Sequence, residues 1–352
     1  MRAGIIAAST ALGLSLLTGM IMGSSTVAAG GQTLPATEST TAAPGANAVP
    51  TSEPATNITT IQPVALPPIP KPQKQNISIA SVTPSADGTY GVGVIPTIRF
   101  SEPVPENARW AVQENLLVSV TPALSEPLIW SWVDAETLAL RPKEFWPQKH
   151  EVSITSTWPT GKALIQVAPD EWKKKKPVPP SKTIAVRISD NVDISFRIGR
   201  EQIFTINAKN YSGTVTRNGK EILDVPISLG KSGWETASGV KTLMEFYEVK
   251  KLQNLTGPET WSVDAPYSIR LTWSGEFLHS ATWNGSIGYA HTSHGCTNLT
   301  LDDARWFYEN GLRGDPVITK NTGMGYRGAW DGDGAPWNVD WETWKANSAT
   351  AP

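Results

Sequence analysis

Residues 293–298 read Ser293-His294-Gly295-Cys296-Thr297-Asn298 and contain the only cysteine of a 352-residue chain. A single cysteine cannot form an internal disulfide, so reactivity or metal binding has to account for it. Three of the chain's four histidines lie with it inside an 18-residue segment, at His279, His291 and His294. A thiol with a histidine nearby is the minimum apparatus for nucleophilic acyl transfer.

Cys296 is predicted to be the nucleophile and His279 its base. A backbone carbonyl or hydroxyl of Ser280 is expected to fix the imidazole tautomer. Gly295 lets the backbone approach a substrate closely, as an oxyanion hole made of N–H groups requires. The alternative is zinc, because three histidines and a cysteine are acceptable ligands. Structural zinc sites usually take ligands as two close pairs with a second cysteine, so the spacing favours a reactive thiol and no metal.

Local patterns predict the structure around this segment. Residues 277–280 are predicted to be a strand. Thr300 can cap a helix that has Asp303 three residues later and ends at Gly311. Cys296 is therefore expected in a loop just before the helix, where the helix dipole favours a thiolate.

Two β-rich domains are predicted from the alternation of apolar and polar residues. Residues 76–190 contain short alternating strands separated by turns, typical of an antiparallel sandwich of immunoglobulin type. Residues 191–322 form the second domain, which the alternating run from Val192 to Ile198 is expected to open. Inside it, Asn218-Gly219 predicts a hairpin with a type I′ turn. The fold class is mainly β, with one short helix after the cysteine.

The remaining segments are assigned by composition. Residues 1–30 combine one positive charge with a run of small and apolar residues that is long enough to span a bilayer, as an export signal or an uncleaved membrane anchor does. Residues 31–75 are rich in Pro, Ala and Thr and predict an extended linker. Residues 323–352 form a tail whose tryptophans are expected to pack on the second domain. Residues 331–334 resemble part of a calcium-binding loop, but the residues that follow break the spacing that an EF-hand needs.

Charge and composition limit the partners. The net charge of −2 and the absence of a long basic face exclude a typical nucleic-acid-binding protein. Membrane contact is expected only through the N-terminal segment. The fifteen tryptophans are interpreted as core and sheet-face residues, with a carbohydrate-stacking surface as the alternative.

His279-Ser280 followed by the box at residues 293–298 resembles the catalytic motif of the L,D-transpeptidases (YkuD type). Ile227-Ser228-Leu229-Gly230-Lys231 and Thr236-Ala237-Ser238-Gly239 are similar to an upstream motif of that family. Trp283 fits its mycobacterial-type members. Their usual order of anchor, Ig-like domain, catalytic domain and Trp-rich tail matches the whole chain.

The resemblance implies an exported enzyme of the cell envelope that cross-links peptidoglycan. Cys296 would attack the diaminopimelate–D-alanine bond of a tetrapeptide stem and form a thioester. His279 would act as base, and the Ser280 carbonyl would orient it. A diaminopimelate amine of a second stem would then resolve the thioester into a 3→3 cross-link.

The resemblance also assigns pocket residues, which are Ser293, His294, Gly295 and Asn298. The N–H groups of Gly295 and Cys296 would hold the oxyanion. The same resemblance assigns two substrate-facing residues, Trp283 and Trp261, although Trp261 is equally well explained as a packed lid residue. Carbapenems are the implied inhibitors. The alternatives are an L,D-carboxypeptidase, with water as the acceptor, and a cell-wall-binding protein without activity.

Overall fold

The computed structural model describes residues 73–158, 165–167, 184–256, 259–326, 328 and 331–349. The predicted export segment and most of the predicted linker therefore lie outside the described residues. Within the described ranges, no helix is both long and apolar enough to cross a membrane.

The N-terminal domain contains eleven strands and one helix within the described part of the chain. The strands are β1 (Gln73–Ile77), β2 (Ile79–Thr83), β3 (Thr89–Tyr90), β4 (Thr97–Phe100), β5 (Leu116–Thr121), β6 (Ile129–Trp132), β7 (Thr137–Arg141), β8 (Glu151–Ser156), β9 (Ile165–Val167), β10 (Ile184–Ile188) and β11 (Asp193–Ile198). Helix α1 (Glu106–Glu114) was not predicted. The two main sheets have the orders β2-β4-β7-β6 and β3-β11-β8-β5, and β1, β10 and β9 form a third. A shared apolar core that includes Phe100, Leu138, Trp146 and Phe196 confirms the predicted Ig-type sandwich.

Strand β11 belongs to this sandwich and not to the second domain that it was expected to open. It pairs antiparallel with β8 and parallel with β3. Alternation identified β11 correctly as a half-buried strand, with Phe196 and Ile198 buried. Alternation shows that one face is covered, but it carries no information about which sheet covers that face.

In its described residues, the second domain consists of two sheets and one α-helix. Its strands are β12 (Gln202–Asn207), β13 (Ser212–Arg217), β14 (Lys220–Pro226), β15 (Gly239–Thr242), β16 (Phe246–Asn254), β17 (Trp261–Arg270), β18 (Phe277–Ser280), β19 (Thr297–Leu299) and β20 (Pro316–Lys320). The sheet orders are β14-β13-β12-β20-β15 and β16-β17-β18-β19. The β13–β14 turn has Asn218 at φ 52° and Gly219 at φ 74°, which confirms the predicted type I′ turn.

Helix α2 (Leu301–Asn310) begins and ends where its caps predict. The Thr300 hydroxyl accepts the Asp303 N–H, and Gly311 follows the last turn. Ala304 and Phe307 are buried in the core between the two sheets. Strand β19 lies between Cys296 and this helix, so the thiol is not at the helix N-terminus and the expected help from the helix dipole is wrong.

The C-terminal tail packs its tryptophans mainly on the N-terminal sandwich. Trp337 Nε1 donates to the Gly93 carbonyl at 2.8 Å, and Trp344 Nε1 donates to the Ile129 carbonyl at 3.0 Å. The Arg141 guanidinium of β7 lies 4.6–5.2 Å from the ring centroids of three tail tryptophans, Trp337, Trp341 and Trp344. The prediction that the tail tryptophans pack on the second domain is therefore wrong, since aromatic content identifies a buried segment but not its partner.

The tail also contacts the second domain through polar groups. The Asn338 side chain exchanges two hydrogen bonds with the backbone of Val240, with Oδ1 accepting the N–H at 2.7 Å and Nδ2 donating to the carbonyl at 2.8 Å. A short helix, α3 (Trp341–Ala346), ends the described tail and is capped by Asp340. Trp330 lies outside the described residues.

Candidate active site

Sheet pairing brings His279 and Cys296 to one cavity. Strands β18 and β19 are parallel neighbours, with His279 opposite Asn298, and Cys296 directly precedes β19. Both side chains line a cavity of about 350 Å³. The cavity wall also contains Leu252, Trp261, Val263, Trp283, Asn284, Thr292, Ser293, His294 and Asn298. All the predicted site residues except Ser280 and Gly295 therefore line this cavity.

His279 is buried and held in one tautomer. Its Nδ1 lies 2.8 Å from the Ser280 carbonyl oxygen, which can only accept, so Nδ1 carries the proton and Nε2 a lone pair. Burial lowers the pKa of His279 to about 4, although the Ser280 carbonyl acts in the opposite direction. The imidazole is therefore neutral at neutral pH and can accept a proton at Nε2.

Two further residues position this imidazole. Asn298 Nδ2 lies 3.1 Å from His279 Nε2, and Asn298 Oδ1 accepts from Asn284 Nδ2 at 2.9 Å. The indole of Trp283 stacks on the imidazole, with centroids 6.0 Å apart and planes 23° from parallel. Trp283 is nevertheless 52% exposed, so its other face is open to the cavity and to solvent.

The Cys296 thiol is protonated in the resting protein. Its Sγ lies 3.8 Å from the Gly275 carbonyl oxygen and accepts a hydrogen bond from the Phe277 N–H. Burial raises the pKa of Cys296 to about 12, and the Glu276 carboxylate raises it further while the Phe277 N–H and Lys241 act against the rise. With a neutral thiol and a neutral imidazole lining the same cavity, the attack requires proton transfer, as in general-base catalysis.

The backbone around Cys296 is fixed by Ser293 and Gly295. Gly295 has a φ of 119°, which side-chain-bearing residues rarely adopt. Ser293 Oγ donates to the Cys296 carbonyl at 2.6 Å and accepts the Gly295 N–H at 3.1 Å. Gly295 was expected to supply an oxyanion donor, but its N–H is engaged by Ser293. Of the two expected donors, the Cys296 N–H remains.

His294 forms part of the cavity rim. Its ring lies between Trp261 and Trp234, with centroid distances of 5.0 and 5.1 Å. Its Nε2 lies 2.7 Å from Glu259 Oε1, and Lys231 Nζ contacts both oxygens of Glu259 at 2.7 and 2.9 Å. The pKa of Glu259 is lowered by the Lys231 hydrogen bond first and by His294 second. Trp261 thus packs on His294, as the lid interpretation expects, and also lines the cavity, while its contact with substrate stays a prediction.

His291 is a structural residue. Its Nδ1 accepts the Leu229 N–H at 3.0 Å and its Nε2 donates to the Ala208 carbonyl at 2.9 Å. Both ring nitrogens are therefore used, so the four-ligand zinc set considered from the sequence does not assemble. Among the residues that the structure describes, no three His, Cys, Asp or Glu side chains converge as a metal site requires.

Several residues of the site were not identified from the sequence. Glu259 and Glu276 carry no local motif, and their roles depend on contacts with residues far away in the chain. Lys231 was noted only as part of a family-like segment. Asn284 and Trp234 likewise lie near predicted residues without a pattern of their own.

Comparison with known proteins agrees with this geometry. Residues 201–319 match the YkuD family, the L,D-transpeptidase catalytic domain, and residues 70–158 match the bacterial Ig domain. The chain is 28% identical over 286 residues to L,D-transpeptidase 2 of Mycobacterium tuberculosis, covering 78% of this chain and 64% of that protein. It is 29% identical to L,D-transpeptidase 1 of the same species, covering 68% of this chain and 83% of that one.

A solved LD transpeptidase in complex with imipenem superimposes with a TM-score of 0.54 at 25% identity, over 71% of this chain and 100% of that one. Sequence and structure therefore agree on both domains. The chain combines a bacterial Ig domain with an L,D-transpeptidase catalytic domain of the YkuD family.

Proposed function

We propose that this protein is a peptidoglycan L,D-transpeptidase that forms 3→3 cross-links through a thioester on Cys296. The observation that carries the proposal is a protonated thiol and a neutral, tautomer-locked imidazole lining one cavity of an L,D-transpeptidase domain. The cavity would bind the donor tetrapeptide and the acceptor amine in turn, and His279 would act as the base in both half-reactions.

In the first half-reaction, Sγ of Cys296 bonds to the carbonyl carbon between diaminopimelate and D-alanine. The Sγ proton passes to Nε2 of His279, and the oxyanion accepts a hydrogen bond from the Cys296 N–H. His279 then gives that proton to the nitrogen of D-alanine as the C–N bond breaks. D-alanine leaves with a neutral amine, and the stem remains as a thioester.

In the second half-reaction, a diaminopimelate side-chain amine of another stem attacks the thioester carbonyl. The amine loses a proton to His279 as the new C–N bond forms, and the C–S bond breaks. His279 returns the proton to the departing sulfur, which restores the starting thiol and imidazole. The Ser280 carbonyl and Trp283 keep the imidazole oriented through both steps. The Asn298 N–H orients only the neutral imidazole, because its contact with Nε2 is released when that nitrogen takes the proton.

Covalent reaction with a carbapenem tests the nucleophile, because ring opening of a β-lactam adds the whole molecule to the thiol. Intact mass after incubation with imipenem is expected to rise by the mass of one inhibitor. Cys296→Ala should form no adduct and His279→Gln should form it far more slowly. His150→Gln, in the N-terminal sandwich, is the matched control and should behave as wild type. An adduct that persists in Cys296→Ala, or that a chelator abolishes, contradicts the mechanism.

A disaccharide-tetrapeptide substrate tests the acceptor. A cross-linked dimer with release of D-alanine supports the transpeptidase. A tripeptide product alone would identify an L,D-carboxypeptidase, with water replacing the amine. No turnover together with retained binding to isolated cell wall would identify a wall-binding protein.

We also propose that the protein is exported and that residues 1–30 direct it to the cell envelope. Residues 1–30 fused to a phosphatase that is active only outside the cytoplasm should give active reporter, and deletion of these residues should abolish it. Activity without residues 1–30 would contradict the assignment. The N-terminal mass of the exported protein distinguishes a cleaved signal from a retained anchor.

A further inference from the structure

A buried ion pair joins the two sheets of the catalytic domain close to Cys296. Lys241 Nζ lies 2.5 Å from Glu276 Oε2, with the two side chains 0% and 6% exposed. Lys241 belongs to β15 in the five-stranded sheet, and Glu276 directly precedes β18 in the four-stranded sheet. Burial of two charges is costly and contributes little net stability. The position of the pair suggests a role in the site.

The second oxygen of Glu276 fixes the segment that holds the residue before the cysteine. Glu276 Oε1 accepts the Ala237 N–H at 2.8 Å. The neighbouring Thr236 hydroxyl donates to the Gly295 carbonyl at 2.7 Å and accepts the Gly230 N–H at 2.9 Å. The carboxylate thus anchors, through two adjacent residues, the backbone on which Cys296 is mounted.

The backbone of Glu276 lies between the two groups that contact the sulfur. The residue before it, Gly275, presents its carbonyl to Sγ at 3.8 Å, and the residue after it, Phe277, donates its N–H to Sγ. The Glu276 N–H itself is held by the Thr272 hydroxyl at 2.9 Å. Displacement of Glu276 would therefore move both contacts of the thiol.

We propose that Glu276, held by Lys241, is a positioning residue that sets both the backbone contacts and the local charge at the Cys296 thiol. Glu276 orients the groups around Sγ, and Lys241 balances a carboxylate that would otherwise oppose a developing thiolate. The inference rests on the proposed function, since a cysteine nucleophile is what the pair would serve.

The proposed effect of the two charges agrees with their influence on the thiol: Glu276 raises the pKa of Cys296, and Lys241 lowers it. The other titratable groups around the site are His279 from β18, Tyr326 near Glu276, and His294 at the rim with its partners Glu259 and Lys231. Burial raises the pKa of Tyr326, whose hydroxyl donates to the Asp331 carbonyl, so Tyr326 stays neutral. Lys241 is therefore the cation that opposes the Glu276 charge at Sγ.

The rate of Cys296 alkylation by iodoacetamide tests the proposal without any peptidoglycan substrate. Below its pKa, a thiol reacts in proportion to its thiolate fraction, so a shift of one pKa unit changes the rate about tenfold. Rates are measured on the full chain between about pH 7 and about pH 9. Lys241→Met should slow alkylation about tenfold, and Glu276→Gln should accelerate it about tenfold.

The double variant Lys241→Met/Glu276→Gln should return the rate to within about threefold of wild type, because both charges are gone. It also retains an oxygen for the Ala237 N–H, which guards against misfolding, and circular dichroism checks each variant. Arg200→Met removes another cation, paired with Asp315 at 3.2 Å, and is the matched control with an expected unchanged rate.

Opposite shifts in the two single variants, cancelling in the double, support the proposal, since a merely structural role would move both rates in one direction. Equal directions, or no change in either single variant, would overturn it. If the alkylation rates change as expected but wild-type protein forms no imipenem adduct, the result would count against the proposed function and leave the role of Glu276 and Lys241 intact.

Discussion

Two lysine–glutamate pairs lie near Cys296, and they differ mainly in their exposure to water. Lys241 and Glu276 are 0% and 6% exposed with 2.5 Å between nitrogen and oxygen. Lys231 and Glu259, at the cavity rim, are 35% and 44% exposed with a separation of 2.7 Å. The same functional groups at nearly the same distance thus lie in two different environments, the protein core and the water-exposed rim.

The difference in burial determines what each pair can do. In the core, both charges have lost their hydration, so removal of one partner leaves the other without compensation. At the rim, water and salt screen the attraction and can replace either partner. A buried pair therefore suits a fixed scaffold beneath a thiol, whereas a rim pair is held weakly enough to be broken and re-formed.

The largest expected effect comes from breaking the buried pair. Lys241→Met leaves the Glu276 carboxylate uncompensated and should lower the free energy of unfolding by about 3–5 kcal/mol. Urea unfolding measures the loss. Lys241→Met/Glu276→Gln should recover most of it, because no isolated charge remains. A double variant as unstable as the single one would show that packing, and not charge, accounts for the loss.

His279 extends the comparison to a buried neutral group. Its pKa is about 4 in the folded protein against 6.5 as the ordinary value, so the unfolded chain binds more protons between these limits. Stability should therefore fall as the pH drops from about 6.5 to about 4, with a contribution of about 3 kcal/mol from this residue. Unfolding free energies across this window should show a shallower fall in His279→Gln than in wild type. Equal slopes for the two proteins would contradict the assignment.

Among the residues that the structure describes, no carboxylate contacts the buried guanidinium of Arg141, which sharpens the charge argument. Its guanidinium donates to the Val339 carbonyl at 2.7 Å and lies among three tail tryptophans, and burial lowers its pKa to about 10. Arg141→Met leaves unsatisfied carbonyls but no isolated anion, so the expected loss is about 1–3 kcal/mol. Urea unfolding should rank it below Lys241→Met. A larger loss than that of Lys241→Met would break the comparison.

The smallest expected effect comes from the rim. Glu259→Gln should shift the thermal midpoint by no more than about 2 °C, because the pair is exposed and screened. Amide hydrogen exchange of the β16–β17 hairpin should nevertheless increase, since Glu259 ties Trp261 and its strand to Lys231 and His294. Unchanged exchange would show that the aromatic contacts alone hold the hairpin.

Local patterns were sufficient for elements whose stabilising contacts are close in sequence. Helix α2 depends on Thr300, Asp303 and Gly311, all within twelve residues, and its limits were predicted correctly. The type I′ turn at Asn218-Gly219 and strand β18 were predicted for the same reason. The nucleophile, its base and the pocket residues at positions 293–298 were found from one short box and the histidine before it, whereas the remaining wall of the cavity was not.

Predictions failed where the partner is distant in sequence. Strand β11 joined the N-terminal sandwich, and the tail tryptophans packed on Gly93 and Ile129, over 200 residues away in sequence. The thiolate expected at Cys296 was wrong because desolvation and Glu276 raise the thiol pKa. Burial depth is a property of the assembled fold and has no local sequence pattern.

The sequence by itself determined the chemical groups of this protein: one thiol, one histidine placed to serve it, a glycine that permits an unusual backbone, and strands with one apolar face. The tertiary structure decided their environments. It placed the proton on Nδ1 of His279 and engaged both ring nitrogens of His291 in hydrogen bonds to the backbone. It also buried one lysine–glutamate pair and left the other in water. The physical reason is that hydrogen-bond partners and local dielectric arise from residues that meet only when the sheets pack.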